Sequence, residues 1–364
     1  MKVAIVHYWL VGMRGGEKVL EALLDLFPGA VIVTHVYDRE KVSAKVRKHE
    51  VRETFIGRLP GARKHYQKYL PLMPLALEQM DMQEFDLILS SESGPAKGIV
   101  PRPDALHVCY CHSPMRYIWD HYHSYRQQAG GVARMAMPFL AHRLRVWDVT
   151  TAARVDRFVA NSSFIRDRIQ TYYRREAEVV FPPVETQAFQ ISNHVENHYL
   201  LAGEMVSYKR ADLAIDAFNA SGRKLVVVGD GEMRGVLEKK SCPNITFLGR
   251  VDNAELKRQF ATCRALIFPG EEDFGIVPVE VMASGRPVIA YGRGGALDTV
   301  IEGVSGVLFH EQTAEALNLA IDRFEKNPGL VKDPATIRAL ADTFDVEVFK
   351  QKIWALIADA RANA

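Results

Sequence analysis

Short apolar runs alternate along the chain with longer stretches whose apolar side chains recur every three or four residues. That alternation predicts βαβ units around parallel sheets. In the first half, the pattern places strands at Val3–Val6, Ala30–Thr34, Leu87–Ser90, Leu106–Tyr110 and Phe158–Ala160, and helices at Glu17–Leu26, Phe139–Ala153 and Ser163–Tyr172. The stretch Arg58–Met82, basic, apolar and rich in proline, reads as irregular. A break falls at Phe181-Pro182-Pro183 and runs to about Asn197, where paired prolines forbid helix and the following polar residues lack periodicity.

A second set of alternating elements follows. Strands are expected at Tyr199–Ala202, Lys224–Val228, Ile245–Leu248, Ala265–Phe268, Pro287–Ala290 and Gly306–Leu308, with helices at Ala211–Ala220, Glu232–Lys239, Asn253–Thr262 and Val279–Ser284. The expected organisation is therefore a domain over 1–182, a hinge over 183–197, a second domain over 198–345, and a terminal segment, 346–364, whose helix Phe349–Ala360 could pack on either domain, including by crossing back to the first. Two similar α/β domains joined by a hinge are expected to leave a central cleft, where ligands commonly bind.

Composition narrows the class. A chain of 364 residues is long enough for two such domains, and 48% hydrophobic with 25% charged residues is ordinary for soluble globular proteins. The net charge of +2 conceals a split: 26 basic against 19 acidic side chains in residues 1–180, and 20 against 25 thereafter. A basic half suits an anionic partner such as lipid headgroups or a phosphate-bearing acceptor, and it equally suits ordinary solvated surface. Nucleic acid is not expected, since the basic residues are dispersed and no recognition motif accompanies them. Cys109, Cys111, Cys242 and Cys263 form neither a disulfide framework nor a zinc-ligand pattern. The apolar start Met1–His7 lacks a cleavage site and runs directly into charged residues, so it reads as a buried strand rather than a signal peptide. No uncharged run is long enough for a membrane helix, and a cytoplasmic protein, soluble or peripheral at the inner face of a membrane, is expected.

The most informative segment is Phe268-Pro269-Gly270-Glu271-Glu272-Asp273-Phe274-Gly275-Ile276-Val277-Pro278-Val279-Glu280, which leaves a strand and enters a helix. The first turn of a helix carries unpaired N–H donors and a partial positive charge, which suits a diphosphate. Gly275 permits close approach, Pro278 suits a first turn, and Glu280 near the helix start could accept from a ribose diol. Charge logic alone is also satisfied if Glu280 merely complements the dipole and Glu272 lies on loop surface.

Glu272 and Glu280, with seven residues between them, resemble the E-x7-E motif of the retaining family 4 glycosyltransferases, and the similarity continues through Val281-Met282-Ala283-Ser284-Gly285-Arg286-Pro287, Gly294-Gly295 and Ile301–Gly306. The resemblance implies a GT-B fold: two Rossmann-like α/β domains with parallel sheets facing a central cleft. It implies that Glu280 holds the nucleotide ribose, that Glu272 lies beside the donor hexose, and that the backbone amides of Phe274, Gly275 and Ile276 approach sugar and phosphate. By the same resemblance Gly15 and Gly16 form a glycine loop over the donor phosphate, and His112 in Cys111-His112-Ser113-Pro114 reaches the donor sugar or acceptor. Lys209 is the phosphate cation, with Arg210 beside it, and Arg250 and Val251 lie in the loop that contacts the base. The implied catalytic set is His112, Glu272 and Lys209. One position departs from the family: Glu204, five residues before Lys209, stands where many relatives carry a second phosphate-binding arginine.

No D-x-D motif is present, and no metal or other cofactor is expected, the nucleotide-sugar being a substrate. The segment Cys111–Asp120, together with the Glu272 block, is most similar to GDP-mannose-dependent mannosyltransferases of bacterial surface polysaccharide assembly, which include lipopolysaccharide. A UDP-hexose donor stays open, as do a hydrolase or phosphorylase using the Glu271–Asp273 acids, a sugar-nucleotide epimerase, and a nucleotide-sugar-binding regulator without turnover. The expected acceptor is a glycan or lipid-linked oligosaccharide, with the basic Arg58–Lys68 region against an anionic membrane.

Overall fold

The computed structural model describes residues 1–362. The chain forms two compact units: Met1–Pro182 together with the end of the chain from Phe349, and Pro183–Val348.

In the first unit, strands β1 (Val3–His7), β2 (Val31–Thr34), β3 (Val51–Glu53), β4 (Leu87–Glu92), β5 (Leu106–Cys111), β6 (Arg157–Ala160) and β7 (Ala177–Val179) form one sheet in the order β3-β2-β1-β4-β5-β6-β7. Every pairing is parallel. β1, β2, β4 and β5 are buried at every position because helices cover both faces, which is why they read as unbroken apolar runs. The second unit repeats the plan with β8 (Tyr199–Ala202), β9 (Leu225–Val228), β10 (Ile245–Gly249), β11 (Leu266–Phe268), β12 (Val288–Tyr291) and β13 (Gly306–Phe309), in the order β10-β9-β8-β11-β12-β13. Its core packs Leu201, Leu225, Ile267 and Ile289 against Ala214, Phe218, Leu317 and Ile321 of the helices above the sheet. Both units are Rossmann-like.

The terminal helix Val346–Ala362 returns to the first unit. Phe349 meets the Tyr110 ring edge-on at 5.6 Å, Lys350 pairs with Asp25 at 3.2 Å, and Trp354 packs near Phe27.

Several elements differ from the pattern reading. β3 and β7 are three-residue edge strands without fully buried positions, so no apolar run announces them. The helix expected from Phe139 spans Gly131–Thr151 and passes through Pro138, whose missing N–H falls on an exposed turn that water can reach. The stretch read as irregular contains successive short helical segments: Phe55–Arg58, Ala62–His65, Tyr66–Leu72 and Met73–Glu78. The helices Ala314–Lys326 and Pro334–Asp342 went unread although both carry start signals. Thr313 accepts from Ala316 N–H at 3.1 Å, and Asp333, just ahead of Pro334, accepts from the N–H groups of Ala335 and Thr336.

Candidate active site

A parallel sheet of this kind binds ligands beyond the carboxyl ends of its strands, at the point where the winding reverses direction. In the second unit that point lies between β8 and β11, and in the first between β1 and β4. Every expected site residue follows the carboxyl end of a strand in its own unit. Gly15 and Gly16 come after β1, His112 after β5, Lys209 and Arg210 after β8, Arg250 and Val251 after β10. Glu272, Phe274, Gly275, Ile276 and Glu280 come after β11.

The reversal point of the second unit is built by close backbone approach. A Cβ on Gly270 would lie 2.8 Å from the Lys209 Cα, so only glycine lets the loops after β8 and β11 touch. Lys209 Nζ then pairs with Glu272 Oε1 at 3.1 Å, both side chains about one-fifth exposed. Burial disfavours the Lys209 charge, but Glu272, then Tyr208 and Glu204, outweigh it and raise the pKa above the usual lysine value. Glu204, with Gly203, Met205, Pro269 and Glu272, lines the recess around this lysine. Gly295 closes the loop from behind: its N–H donates to the Glu272 carbonyl at 2.8 Å, and a Cβ there would lie 2.3 Å from the Phe274 Cα.

The helix after β11 spans Ile276–Ala283, with Gly275 as its N-cap at φ +83°, a conformation that disfavours any side chain. This start is three residues earlier than the apolar pattern suggests, and it puts Pro278 in the first turn, where its missing N–H costs nothing. Glu280 therefore sits in the second turn, half-buried, and the first turn carries no acidic residue. The reading of Glu280 as a dipole complement loses its basis, while the donors of the first turn face no carboxylate of their own helix.

Two further expected positions have surroundings of their own. The Arg210 guanidinium is engaged by Asp212 at 3.2 Å and by Gln312 at 3.1 Å, and at φ +54° the residue stands as the N-cap directly before the helix Ala211–Ser221. Arg210 thus shapes the loop, and its charge is already partnered. Arg250 is 84% exposed with only a 3.9 Å approach to Asp230, while Val251 is half-buried.

The reversal point of the first unit is built from buried side chains. Gly15 and Gly16 are the first turn of the helix Gly15–Leu26 rather than a loop ahead of it. A Cβ on Gly16 would meet the Tyr8 hydroxyl at 2.5 Å. Glu17, buried, accepts from Arg14 N–H at 2.7 Å. Burial resists its ionisation, but His7 and that N–H prevail and lower its pKa. His112 donates its backbone N–H to the Glu92 carbonyl at 2.7 Å, and its Nε2 lies 2.9 Å from Ser91 Oγ. Burial, then His7, push its pKa down to about 3, so the ring is neutral at pH 7.

Beneath this loop, a fully buried ion network went unread in the sequence. Lys97 Nζ pairs with Glu92 at 3.2 Å and with Asp148, which also accepts from Trp119 Nε1 at 2.8 Å and from the Tyr173 hydroxyl at 2.9 Å. Glu92 Oε2 takes the backbone N–H groups of Ala96 and Lys97. The signal that could have exposed it is a polar Ser90-Ser91-Glu92 ending an otherwise apolar strand.

A second recess, lined by Arg264, Arg286, Pro287 and Glu325, lies at the amino ends of β11 and β12, the end of a parallel sheet that ligands rarely use. Among the described residues, no cluster of His, Cys, Asp or Glu could hold a metal ion.

Comparison with known proteins bears on the family and the fold. A family model described as Glycosyltransferase Family 4 matches residues 13–188, and one described as Glycosyl transferases group 1 matches residues 184–339. The chain is similar to an uncharacterized glycosyltransferase of Methanocaldococcus jannaschii, 29% identical over 49% of this chain and 52% of that protein. The alignment thus spans about half the length of that relative. It is also similar to the alpha-1,3/1,6-mannosyltransferase of Schizosaccharomyces pombe, 24% identical over 85% of this chain and 70% of the other. Among solved structures, an Anabaena protein in complex with UDP-glucose superposes with a TM-score of 0.73 at 19% identity, covering 99% of this chain and 100% of that one. At that identity the likeness speaks to the fold.

Proposed function

We propose, since the chain belongs to glycosyltransferase family 4, that it moves a hexose from a nucleoside diphosphate sugar to an acceptor hydroxyl with retention of anomeric configuration. The observation that carries this reading is the contact of Lys209 with Gly270 and Glu272, in the loop that leads from β11 into the helix Ile276–Ala283. A diphosphate needs such a pairing of cation and unpaired donors. In the reaction, the bond from the anomeric carbon to the diphosphate oxygen breaks, and the acceptor oxygen bonds to that carbon on the same face. The acceptor's proton passes to the departing phosphate oxygen. Lys209 and the amides of Phe274, Gly275 and Ile276 offset charge growing on the leaving group, and Glu280 holds the ribose. Because Lys209 is already paired with Glu272, the diphosphate competes for that cation. Glu272 is thereby released toward the hexose, where it stabilises an oxocarbenium-like centre without attacking it. His112 contacts the donor sugar or the acceptor. Trapping of a covalent glycosyl-enzyme adduct would overturn the same-face route.

GDP-mannose is the proposed donor, supported by the segment Cys111–Asp120 and by the mannosyltransferase relative. The alternative is a UDP-hexose, as in the UDP-glucose complex of the Anabaena neighbour. A thermal-shift series with GDP, UDP and ADP and their sugars, followed by product analysis, separates these donors, since a ligand of the native state raises its melting point. If none of the nucleotides shifts it, the reading fails. Glu204 beside Lys209 favours a second reading, a nucleotide-sugar-binding regulator, which binding without turnover across many acceptors would support.

The proposed acceptor is a glycan or lipid-linked oligosaccharide, with peripheral contact to an anionic membrane at its cytoplasmic face. No described helix is long and apolar enough to cross a membrane. Surface chemistry supports a contact instead. Residues 54–77 and 121–147 contain no Asp or Glu, while Arg58, Arg63, Lys64, Lys68, Arg134 and Arg143 are exposed. On the helix Gly131–Thr151, Val132, Met135 and Phe139 stand 86, 83 and 64% exposed, a basic amphipathic face suited to anionic lipid. Leu70, beside exposed Leu72, packs into the same cluster as Met137, Ala141 and Leu144, which joins the two basic segments. Co-sedimentation with anionic vesicles should fall when Arg63, Lys64 and Lys68 are replaced, or when Met135 and Phe139 become serine. Binding that ignores both sets removes the membrane from the proposal.

A further inference from the structure

The imidazole of His112 is one end of a chain of polar groups that no motif names. His7 on β1 and Ser91 on β4 are register partners in the parallel sheet, and both are fully buried. His7 Nδ1 lies 3.0 Å from Ser91 Oγ, and Ser91 Oγ lies 2.9 Å from His112 Nε2. At the other end, His7 Nε2 has no hydrogen-bond partner closer than the Glu17 carboxylate, whose Oε1 stands 3.7 Å away. Among the described residues, no protein group bonds the Nδ1 of His112.

These contacts constrain where the protons sit. Ser91 has one hydroxyl proton and is approached by two ring nitrogens, so it can donate to one ring only. Were it to donate to His112, a neutral His7 would carry its proton on Nδ1 and turn a bare Nε2 lone pair toward the buried Glu17 carboxylate. That arrangement sets two electron-rich groups against each other where water cannot screen them. The opposite arrangement removes that repulsion and turns a proton, rather than a lone pair, toward the Glu17 carboxylate. His7 points its Nε2–H at Glu17, Ser91 donates to His7 Nδ1, and His112 donates its Nε2–H to Ser91. His112, neutral at pH 7, then has its lone pair on Nδ1.

We propose that Ser91, directed by His7 and Glu17, is a positioning residue that locks His112 in the Nε2–H tautomer, so that His112 meets substrate through Nδ1 as a hydrogen-bond acceptor for a sugar hydroxyl. The hydroxyl-bearing ligand rests on the glycosyltransferase reading; the tautomer does not. His112 in this state takes a proton-bearing hydroxyl and repels a phosphate oxygen, so it is a reader of the sugar and not a second diphosphate clamp.

The test is nitrogen NMR of the full chain with labelled histidine, His112 being assigned through His112→Gln. At pH 7 the wild-type spectrum should show a protonated Nε2 and an unprotonated Nδ1 at His112. Ser91→Ala should mix the two tautomers and lower kcat/KM by about tenfold or more, while Ser91→Thr, which keeps the hydroxyl, restores both. Glu17→Gln, which keeps the side-chain shape, should also weaken the preference. A His112 protonated on Nδ1 or on both nitrogens in the wild type overturns the proposal. So does an unchanged tautomer in Ser91→Ala. Because the spectrum is read without donor or acceptor, its failure leaves the assignment of activity untouched, and failure of the activity leaves the tautomer intact.

Discussion

The two units wind their sheets in the same order and reverse direction at equivalent strands, yet they furnish those points with different materials. Beyond β8 and β11, glycines bring main chain against main chain, and the charged groups, Lys209 and Glu272, remain partly open to solvent. Beyond β1 and β4, side chains do the work. His7, Ser91, Glu92, Lys97 and Asp148 are wholly buried and hold one another by hydrogen bonds and ion pairs. A site that grips the invariant part of a substrate, a diphosphate, can be made from backbone donors, whose chemistry is the same for every residue. A site that must read hydroxyls needs particular side chains held in particular protonation states, and burial is what holds them.

If this contrast is real, charge removal should damage folding in the first unit and chemistry in the second. The largest effect is expected from Lys97→Met, which leaves Glu92 and Asp148 buried without their cation and should cost about 3–5 kcal/mol of stability in chemical denaturation. Stability equal to wild type would show that the network is ornamental. Next comes Lys209→Ala, expected to lower kcat by roughly 100- to 1,000-fold with little change in melting temperature, since its partner Glu272 is not fully buried and water can solvate it. A variant that instead melts early with normal turnover would erase the distinction between the units.

Gly295→Ala probes the backbone-built site. Its Cβ meets main chain rather than a flexible side chain, so a loss of about 1–3 kcal/mol is expected, accompanied by weaker nucleotide binding because the Glu272 loop must shift. The most gradual effect comes from acid. His35, bonded to Thr54 and the Pro95 carbonyl, and His107, bonded to Ser90 and the Arg154 carbonyl, are held by burial at pKa values of about 4 in the first unit. Unfolded histidine takes up its proton near 6.5, so between those values the unfolded chain binds more protons. The stability they contribute is complete above that range. It is lost as pH falls through it, by about 1.4 kcal/mol per unit for each histidine. Melting curves from pH 7 to 4.5 should show this slope, and His35→Gln should make it shallower, with His107 still contributing. A flat wild-type profile contradicts the burial argument.

The same contrast explains what could be read in advance. The two-unit architecture and most strand positions follow from apolar runs, because a strand covered on both faces must be apolar throughout. The loop from Phe268 to Glu280 was legible because its requirements are local: a glycine where φ is positive, a proline in a first turn, carboxylates at a fixed spacing. Edge strands β3 and β7 escaped because they are short and half-exposed. The bond of His7 to Ser91 spans 84 positions, that of Lys97 to Asp148 spans 51, and the pairing of Lys209 with Glu272 joins loops after different strands. Periodicity within a segment reports which face it buries, and is silent on which distant polar group shares that burial. Residue types alone thus specified the elements and the strand-to-helix turn after β11, through local backbone geometry. The protonation state of His112, the partner of Lys209 and the engagement of Arg210 by Gln312 arose only when parallel register laid remote strands side by side and brought the loops beyond them together.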